Sequence, residues 1–242
     1  MTKRETDLDK WLLLLDKNRS DKPIDSNLHN TIRNYFTYVW KNDHSYLLKD
    51  SEFMMRLPYK LRVKLNKHLF NDEVEKFDIF FKGCSEVFQY QMVLNMFPRK
   101  FDPRTEIIAA GTRVREIYFI NKDSVLLCTR KGVQPFCRLP EKSYFGDEYV
   151  LFRENPPMAY FSDQRGCELF CVKRSRFEKL IKRFPVAFEN IVKKAYKRRL
   201  YFQTLMKASV EQAEPGATDS LGDASGSGIE ERKDEYSHQN AT

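Results

Sequence analysis

Asp147 and Glu148 follow the turn Phe145-Gly146 and are the nearest this sequence comes to an acid pair. Neighbouring residues in a turn point apart, so the expectation is one helix cap and one solvated charge rather than general acid–base work. The four histidines (29, 44, 68 and 238) are scattered without ligand spacing, so no metal site is expected. No Ser/His/Asp grouping, Gly-x-Gly-x-x-Gly turn or P-loop occurs, and the chain does not read as an enzyme. Cys84, Cys128, Cys137, Cys167 and Cys171 are an odd set, best read as free reduced thiols. On a strand, Cys167, Leu169 and Cys171 share one face, as two small buried thiols would. Lys193, Lys194, Lys197, Arg198 and Arg199 form a basic cluster. It suits an anionic lipid or a calmodulin-like partner, or equally the solvated face of a helix closing over a sheet.

The net charge of +8 is unevenly spread. Residues 208–242 contain eight acids and two basic residues, a net of −6, which leaves +14 on the first 207. That tail has almost no large apolar residues, cannot offset its ordering entropy, and is expected to be disordered. Its acidity would oppose phosphate binding, so no nucleic-acid partner is expected. The longest apolar run, Trp11–Leu15, is far below the roughly 20 residues that cross a bilayer, and no signal-peptide pattern follows Met1. A soluble, cytoplasmic polypeptide is the reading.

The elements that must position these residues change character along the chain. Residues 1–82 contain no glycine, as an all-helical region would. Leu28, Ile32, Tyr35, Phe36, Val39 and Trp40 recur at helical spacing, with Asp25 or Ser26 as N-cap. Pro58 suits the first turn of a helix striped by Leu61, Leu65 and Leu69. Val74, Phe77 and Phe81 continue in a further short helix after Asn71-Asp72. The Trp11–Leu15 run should pack against something. Between about 100 and 175 the runs become short and strand-like: 107–108, 117–120, 125–128 and 169–172, with Gly111, Gly132, Gly146 and Gly166 at turns. Such spacing suggests a roll or barrel. Helix returns at Arg176–Ile181, stops before Pro185 and resumes to about Lys207.

Several tracts, in order, resemble the cyclic-nucleotide-binding fold: Ala110-Gly111-Thr112, Ile117-Tyr118-Phe119-Ile120, Lys131-Gly132, Ser143-Tyr144-Phe145-Gly146-Asp147 and Phe177 to Pro185. Upstream, Asn30 to Phe36, Leu57 to Arg62 and Phe77 to Phe81 are similar to the helical C-linker of hyperpolarisation-activated, cyclic-nucleotide-gated and ether-à-go-go-like cation channels. The resemblance runs from about residue 8 to 205. It implies an α+β fold: a helical C-linker (1–82), a cyclic-nucleotide-binding β-roll of jelly-roll type flanked by helices (83–207), and the acidic tail (208–242). It also implies a cytoplasmic gating and assembly module of a voltage-gated, potassium-type cation channel, at the inner face of a membrane. Its partners would be a pore domain and three further copies, whose first helices dock on the neighbouring subunit. Self-association through residues 8–40 is the corresponding expectation.

In that family the phosphate-binding cassette is a Phe-Gly-Glu turn, a short helix and Arg-Thr-Ala or Arg-Ser-Ala. Here the turn is Phe145-Gly146-Asp147, with Glu148 beside it, and the arginine position reads Pro157 in Pro157-Met158-Ala159. Losing the guanidinium removes a charged hydrogen bond of about 1.5–3 kcal/mol. Proline supplies no N–H, and Met158 puts an apolar side chain where the phosphate would sit. Arg153 and Arg165 lie near in sequence without matching the missing role. The cassette reads as degenerate, with weak or no binding of cAMP or cGMP and no cofactor. The alternative is a soluble cAMP- or cGMP-binding regulatory protein.

Overall fold

The computed structural model describes residues 3–18, 24–43, 54, 56–129 and 135–213. The expected Lys131-Gly132 turn, and the tail from 214 onward, lie outside the described residues. The helical part comprises α1 (Lys3–Asn18), α2 (Ser26–Asn42), α3 (Tyr59–Lys76), α4 (Asp78–Phe81) and α5 (Glu86–Val93). The sheet is built from β1 (Phe97–Phe101), β2 (Glu106–Ile108), β3 (Glu116–Cys128), β4 (Pro135–Leu139), β5 (Tyr144–Phe145) and β6 (Ala159–Lys173). A short α6 (Asp147–Phe152) sits between β5 and β6, and α7 (Arg174–Ile181) and α8 (Pro185–Ala213) close the chain. The fold is α+β, with helices around an open antiparallel six-stranded sheet.

The sheet path is β1-β6-β3-β4, with β2 added to β6 and β5 to β3. Two long strands do most of the work: β3 and β6 pair from Glu116↔Lys173 to Cys128↔Ala159. Their register shifts between Ile120 and Lys122 and again between Asp123 and Val125, and such irregularities bend the ladder. Gly166 sits at the second shift with φ +79°, and a Cβ there would lie 2.4 Å from the Phe101 carbonyl oxygen. Only glycine fits both demands.

Helix α2 begins after Asp25, as its periodicity implies, although the Asp25 side chain makes no capping bond. Its apolar stripe is only partly covered: Ile32, Phe36, Val39 and Trp40 are half-buried, none is fully buried, and Leu28 and Tyr35 are exposed. The Trp11–Leu15 run divides. Leu12 is buried, whereas Trp11, Leu13 and Leu14 are exposed. Arg33 of α2 bonds Asp9 of α1 at 2.5 Å.

Two expectations for the next helices fail. Asn71-Asp72 does not interrupt α3, which runs on to Lys76; Asn71 Nδ2 instead bonds Glu75 Oε1 at i+4. The stripe Leu61, Leu65, Leu69 is not the packed face either, since Leu61 and Leu69 are exposed and Phe70 is the buried residue. The apolar weight falls on the segment after α3. Phe77, Phe80 and Phe81 are fully buried, and Phe80 meets Phe119 at 5.0 Å and Tyr144 at 4.9 Å between ring centroids, both edge to face. Each such ring contributes about 1.5–3 kcal/mol by burial. The helical part is thereby anchored in the sheet's core.

Cys167 and Cys171 are buried free thiols, as their strand face implies. Burial pushes the Cys167 thiol up to about 12, so it stays protonated. Helix α8 extends to Ala213, beyond the expected end near Lys207.

Candidate functional site

The cassette is held by backbone geometry. Gly146 caps α6 with φ 89°, and a Cβ there would lie 3.0 Å from the Glu116 carbonyl oxygen. This turn sends Phe145 one way and the acids the other. Phe145 is stacked between Tyr118 (centroids 5.0 Å, planes 11° apart) and Tyr160 (4.9 Å, 10°). Three parallel rings thus stack beside β5. Met158 and Ala159 are buried beside them, while Pro157 is exposed.

Asp147 and Glu148 correct the expectation of one cap and one solvated charge. Both lie in the first turn of α6, and both are buried, at 0% and 1% exposure. Both meet the same cation: Nη2 of Arg198, from the middle of α8, donates to Asp147 Oδ1 and, at 3.3 Å, to Glu148 Oε2. The Arg198 guanidinium also lies 4.1 Å above the Tyr144 ring, so a cation–π contact adds to the ion pair. The Tyr160 hydroxyl donates to Glu148 Oε1 at 3.5 Å. Asp147 Oδ2 and Arg198 Nε have no bond partner.

Charge in this cluster is shared unequally. Burial drives the Glu148 carboxyl up to about 8; Arg198 opposes the shift, and Asp147 beside it adds to it. Near neutral pH burial therefore favours the protonated form of Glu148. For Arg198, burial works against the charge but Asp147 and Glu148 outweigh it, so its affinity for the proton rises. Burial also pushes the Tyr144 hydroxyl up to about 12.

A second arginine reinforces the arrangement. Arg199 bonds Glu154 at 2.8 Å and lies over the Phe152 ring at 5.5 Å, so α8 grips both ends of α6. The cluster expected at Lys193–Arg199 is thereby divided. Arg198 and Arg199 turn inward, Lys194 donates to the carbonyls of Ile79, Phe80 and Lys82 at 2.8–3.0 Å, and Lys193 and Lys197 remain exposed. Arg153 sits exposed at the end of α6 with φ 57°, and Arg165 lies 3.9 Å from Asp123, away from the cassette.

The structure thus brings Phe145, Gly146, Asp147, Glu148, Met158 and Ala159 together and leaves Pro157 at the rim. Clefts of about 760, 390, 350 and 210 Å³ are found elsewhere, and none is lined by these seven residues. Arg198 is the participant that sequence reasoning missed, and a signal existed. Ile191, Ala195 and Phe202 are the buried stripe of α8, and position 198 falls on it at helical spacing. A charge on an apolar stripe needs a buried partner. Among the described residues no group of His, Cys, Asp and Glu is placed to hold a metal. No described helix is long and apolar enough to cross a membrane.

The fold and the Phe145-Gly146 turn are consistent with a cyclic-nucleotide-binding domain of the cation-channel superfamily, to whose members the chain is similar at low identity but over much of its length. The chain's homologues are subunits of such channels. It is 24% identical over 178 residues to cyclic nucleotide-gated channel alpha-3 of Homo sapiens, covering 72% of this chain and 25% of that one. It is 24% identical over 204 residues to the cone photoreceptor subunit alpha of Gallus gallus, covering 81% of this chain and 26% of the relative. Potassium channel KAT3 of Arabidopsis thaliana matches at 26% identity over 136 residues, 55% of this chain and 20% of the channel. The chain spans about a quarter of the length of the first of these relatives. No family model matches it.

Proposed function

We propose that this chain is the cytoplasmic gating and assembly module of a voltage-gated, potassium-type cation channel, working at the inner face of a membrane without depending on a cyclic nucleotide. The division into a C-linker (1–82), a nucleotide-binding-like domain (83–207) and an acidic tail (208–242) is part of this reading. One observation carries it: the acids of the cassette are already bound by the chain's own Arg198, and the stack of Tyr118, Phe145 and Tyr160 fills the space beside them. A cyclic phosphate entering here would meet Met158 and the exposed ring of Pro157 instead of a guanidinium. The degenerate site of Phe145, Gly146, Asp147, Glu148, Pro157, Met158 and Ala159 then acts as a fixed joint.

Assembly is supported by the uncovered faces of α1 and α2, where Trp11, Leu13, Leu14, Leu28 and Tyr35 are exposed. Copies of the same chain arranged as a tetramer would cover them. The anionic-lipid or calmodulin-like partner expected for α8 would find only Lys193 and Lys197 of the five basic residues exposed there.

Titration of the purified chain with a fluorescent cAMP analogue tests the reading. The expected result is no saturable signal through the micromolar range. Saturable low-micromolar binding, competed by unlabelled cAMP, would favour the alternative of a soluble cAMP- or cGMP-binding regulator.

A further inference from the structure

A cleft of about 760 Å³ lies on the face formed by the end of α5, β1 and α7. Its floor is apolar, from Leu94, Phe97 and Leu180, and its walls carry five cations. Two of these, Arg176 and Lys179, lie one turn apart on α7, and Arg183 follows in the turn just after it. Lys173 precedes them at the end of β6, and Arg99 faces them from β1. No carboxylate lines the cleft. Arg99 has a bidentate partner in Glu116, at 2.7 and 3.1 Å. Among the described residues, Lys173, Arg176, Lys179 and Arg183 make no ion pair; Lys173 and Arg183 lie only over phenylalanine rings.

Such an array carries a cost. Like charges one turn apart on a helix, as Arg176 and Lys179 are, destabilise it by a few tenths of a kcal/mol, and Lys173 and Arg183 bring two more cations to the same concavity. On the opposite side of α7 a cation is matched with an acid, in Arg174–Glu178. Here the cations converge on one cavity without a carboxylate in its lining, and the cavity has the size small ligands occupy. Amide side chains from Gln91 and Asn95 complete the rim.

We propose that this cleft binds a small headgroup bearing several clustered phosphates, with Arg176, Lys179 and Arg183 on its phosphates and Phe97 and Leu180 beneath its ring. Arginine suits this role because its planar fork grips phosphate with two parallel bonds. A phosphoinositide headgroup and a free inositol polyphosphate share this chemistry. The site is separate from the cassette and does not depend on the reading given to it.

Two probes distinguish the sources: free inositol hexakisphosphate by calorimetry, and phosphatidylcholine vesicles doped with phosphatidylinositol bisphosphate by flotation. The full chain should bind the free probe saturably, and vesicle binding in addition would assign the lipid source. Arg176→Glu combined with Arg183→Glu should weaken binding at least about tenfold, since each lost charged bond is worth about that or more. Both side chains are exposed, so the fold is spared. Lys193→Glu combined with Lys197→Glu, equal in charge change but on α8, should bind as the parent does. Failure to saturate with either probe overturns the proposal. So does equal loss in the α8 variant, or equal flotation with phosphatidylserine vesicles, because each would mean diffuse attraction to a basic surface.

Discussion

Replacing Arg198 by methionine removes the cation from a site where Asp147 and Glu148 have 0% and 1% exposure and keeps most of the apolar stem. Removing one partner of a buried ion pair costs about 3–5 kcal/mol. The site supplies an independent bound. Burial already favours the protonated form of Glu148 near neutral pH, so only one carboxylate is stranded, and it can escape by taking up a proton. An aspartate in water titrates near 4, so keeping one neutral at pH 7 costs about three pH units, or ~4 kcal/mol. Loss of the contact with Tyr144 adds about 0.5–2 kcal/mol. The expected loss is therefore about 4.5–6 kcal/mol at pH 7, falling to about 2–3.5 at pH 5, where protonation is cheaper. In urea, with a slope of about 2 kcal/mol per molar, the midpoint at pH 7 should drop by roughly 2–3 M. Arg198→Lys keeps a point charge without the fork and should fall between the two. A loss below about 1 kcal/mol at pH 7, or one that does not change with pH, would refute the argument that Arg198 neutralises this site.

Three further outcomes can be checked by equilibrium unfolding. Glu148 titrates higher in the folded chain than its ordinary value of 4.5, so the folded state holds the extra proton and stability declines as pH rises from about 4.5 to 8. The slope from this group is at most ~1.4 kcal/mol per pH unit, and Glu148→Gln should remove it; an unchanged pH profile would contradict the assignment. Gly166→Ala combines a left-handed backbone with a Cβ 2.4 Å from the Phe101 carbonyl oxygen, and should cost upwards of about 2 kcal/mol; a neutral effect would mean that the β6 bend relaxes freely. Lys194→Met deletes three bonds to carbonyls around α4 and should cost about 1.5–3 kcal/mol, with a loss under 0.5 kcal/mol showing that solvent replaces them.

What could be read from the sequence was local, and what could not was a partnership across the chain. The stripe from Leu28 to Trp40 announced α2, and the alternation of Cys167, Leu169 and Cys171 announced a buried strand face, because each rests on a single periodicity. The Phe145-Gly146 turn was legible because only glycine accepts its backbone. Helix α3 was divided at Asn71-Asp72 on propensity alone, yet those residues are tolerated mid-helix where their side chains reach along the surface. The acids failed for a different reason. Whether Asp147 and Glu148 are solvated or buried is decided by a residue 50 positions later, and no pattern around 147 contains that information.

Arg198 is also the third of a series along one helix. Asn190 bonds the Gly83 carbonyl at 2.6 Å, Lys194 holds the carbonyls around α4, Arg198 holds the cassette and Arg199 holds Glu154. Over about two and a half turns, α8 is fastened first to the end of the helical part, at Asn190 and Lys194, and then to α6, at Arg198 and Arg199. Phe80 closes the loop from the other side, because its ring touches both Phe119 and Tyr144, the ring over which Arg198 lies. A shift of α6 relative to the sheet would therefore strain the Arg198 pair and, through a helix that is continuous from 190 to 199, the attachment of α4 at Lys194. Packed interiors switch between discrete arrangements rather than deform smoothly. If this module transmits force, the α8 clasp is the element whose two ends must move together, and weakening it at Arg198 should loosen the helical part as well as the cassette. Hydrogen exchange at the amides of residues 78–84 in Arg198→Lys would register that coupling, and unchanged protection there would show the two attachments to be independent.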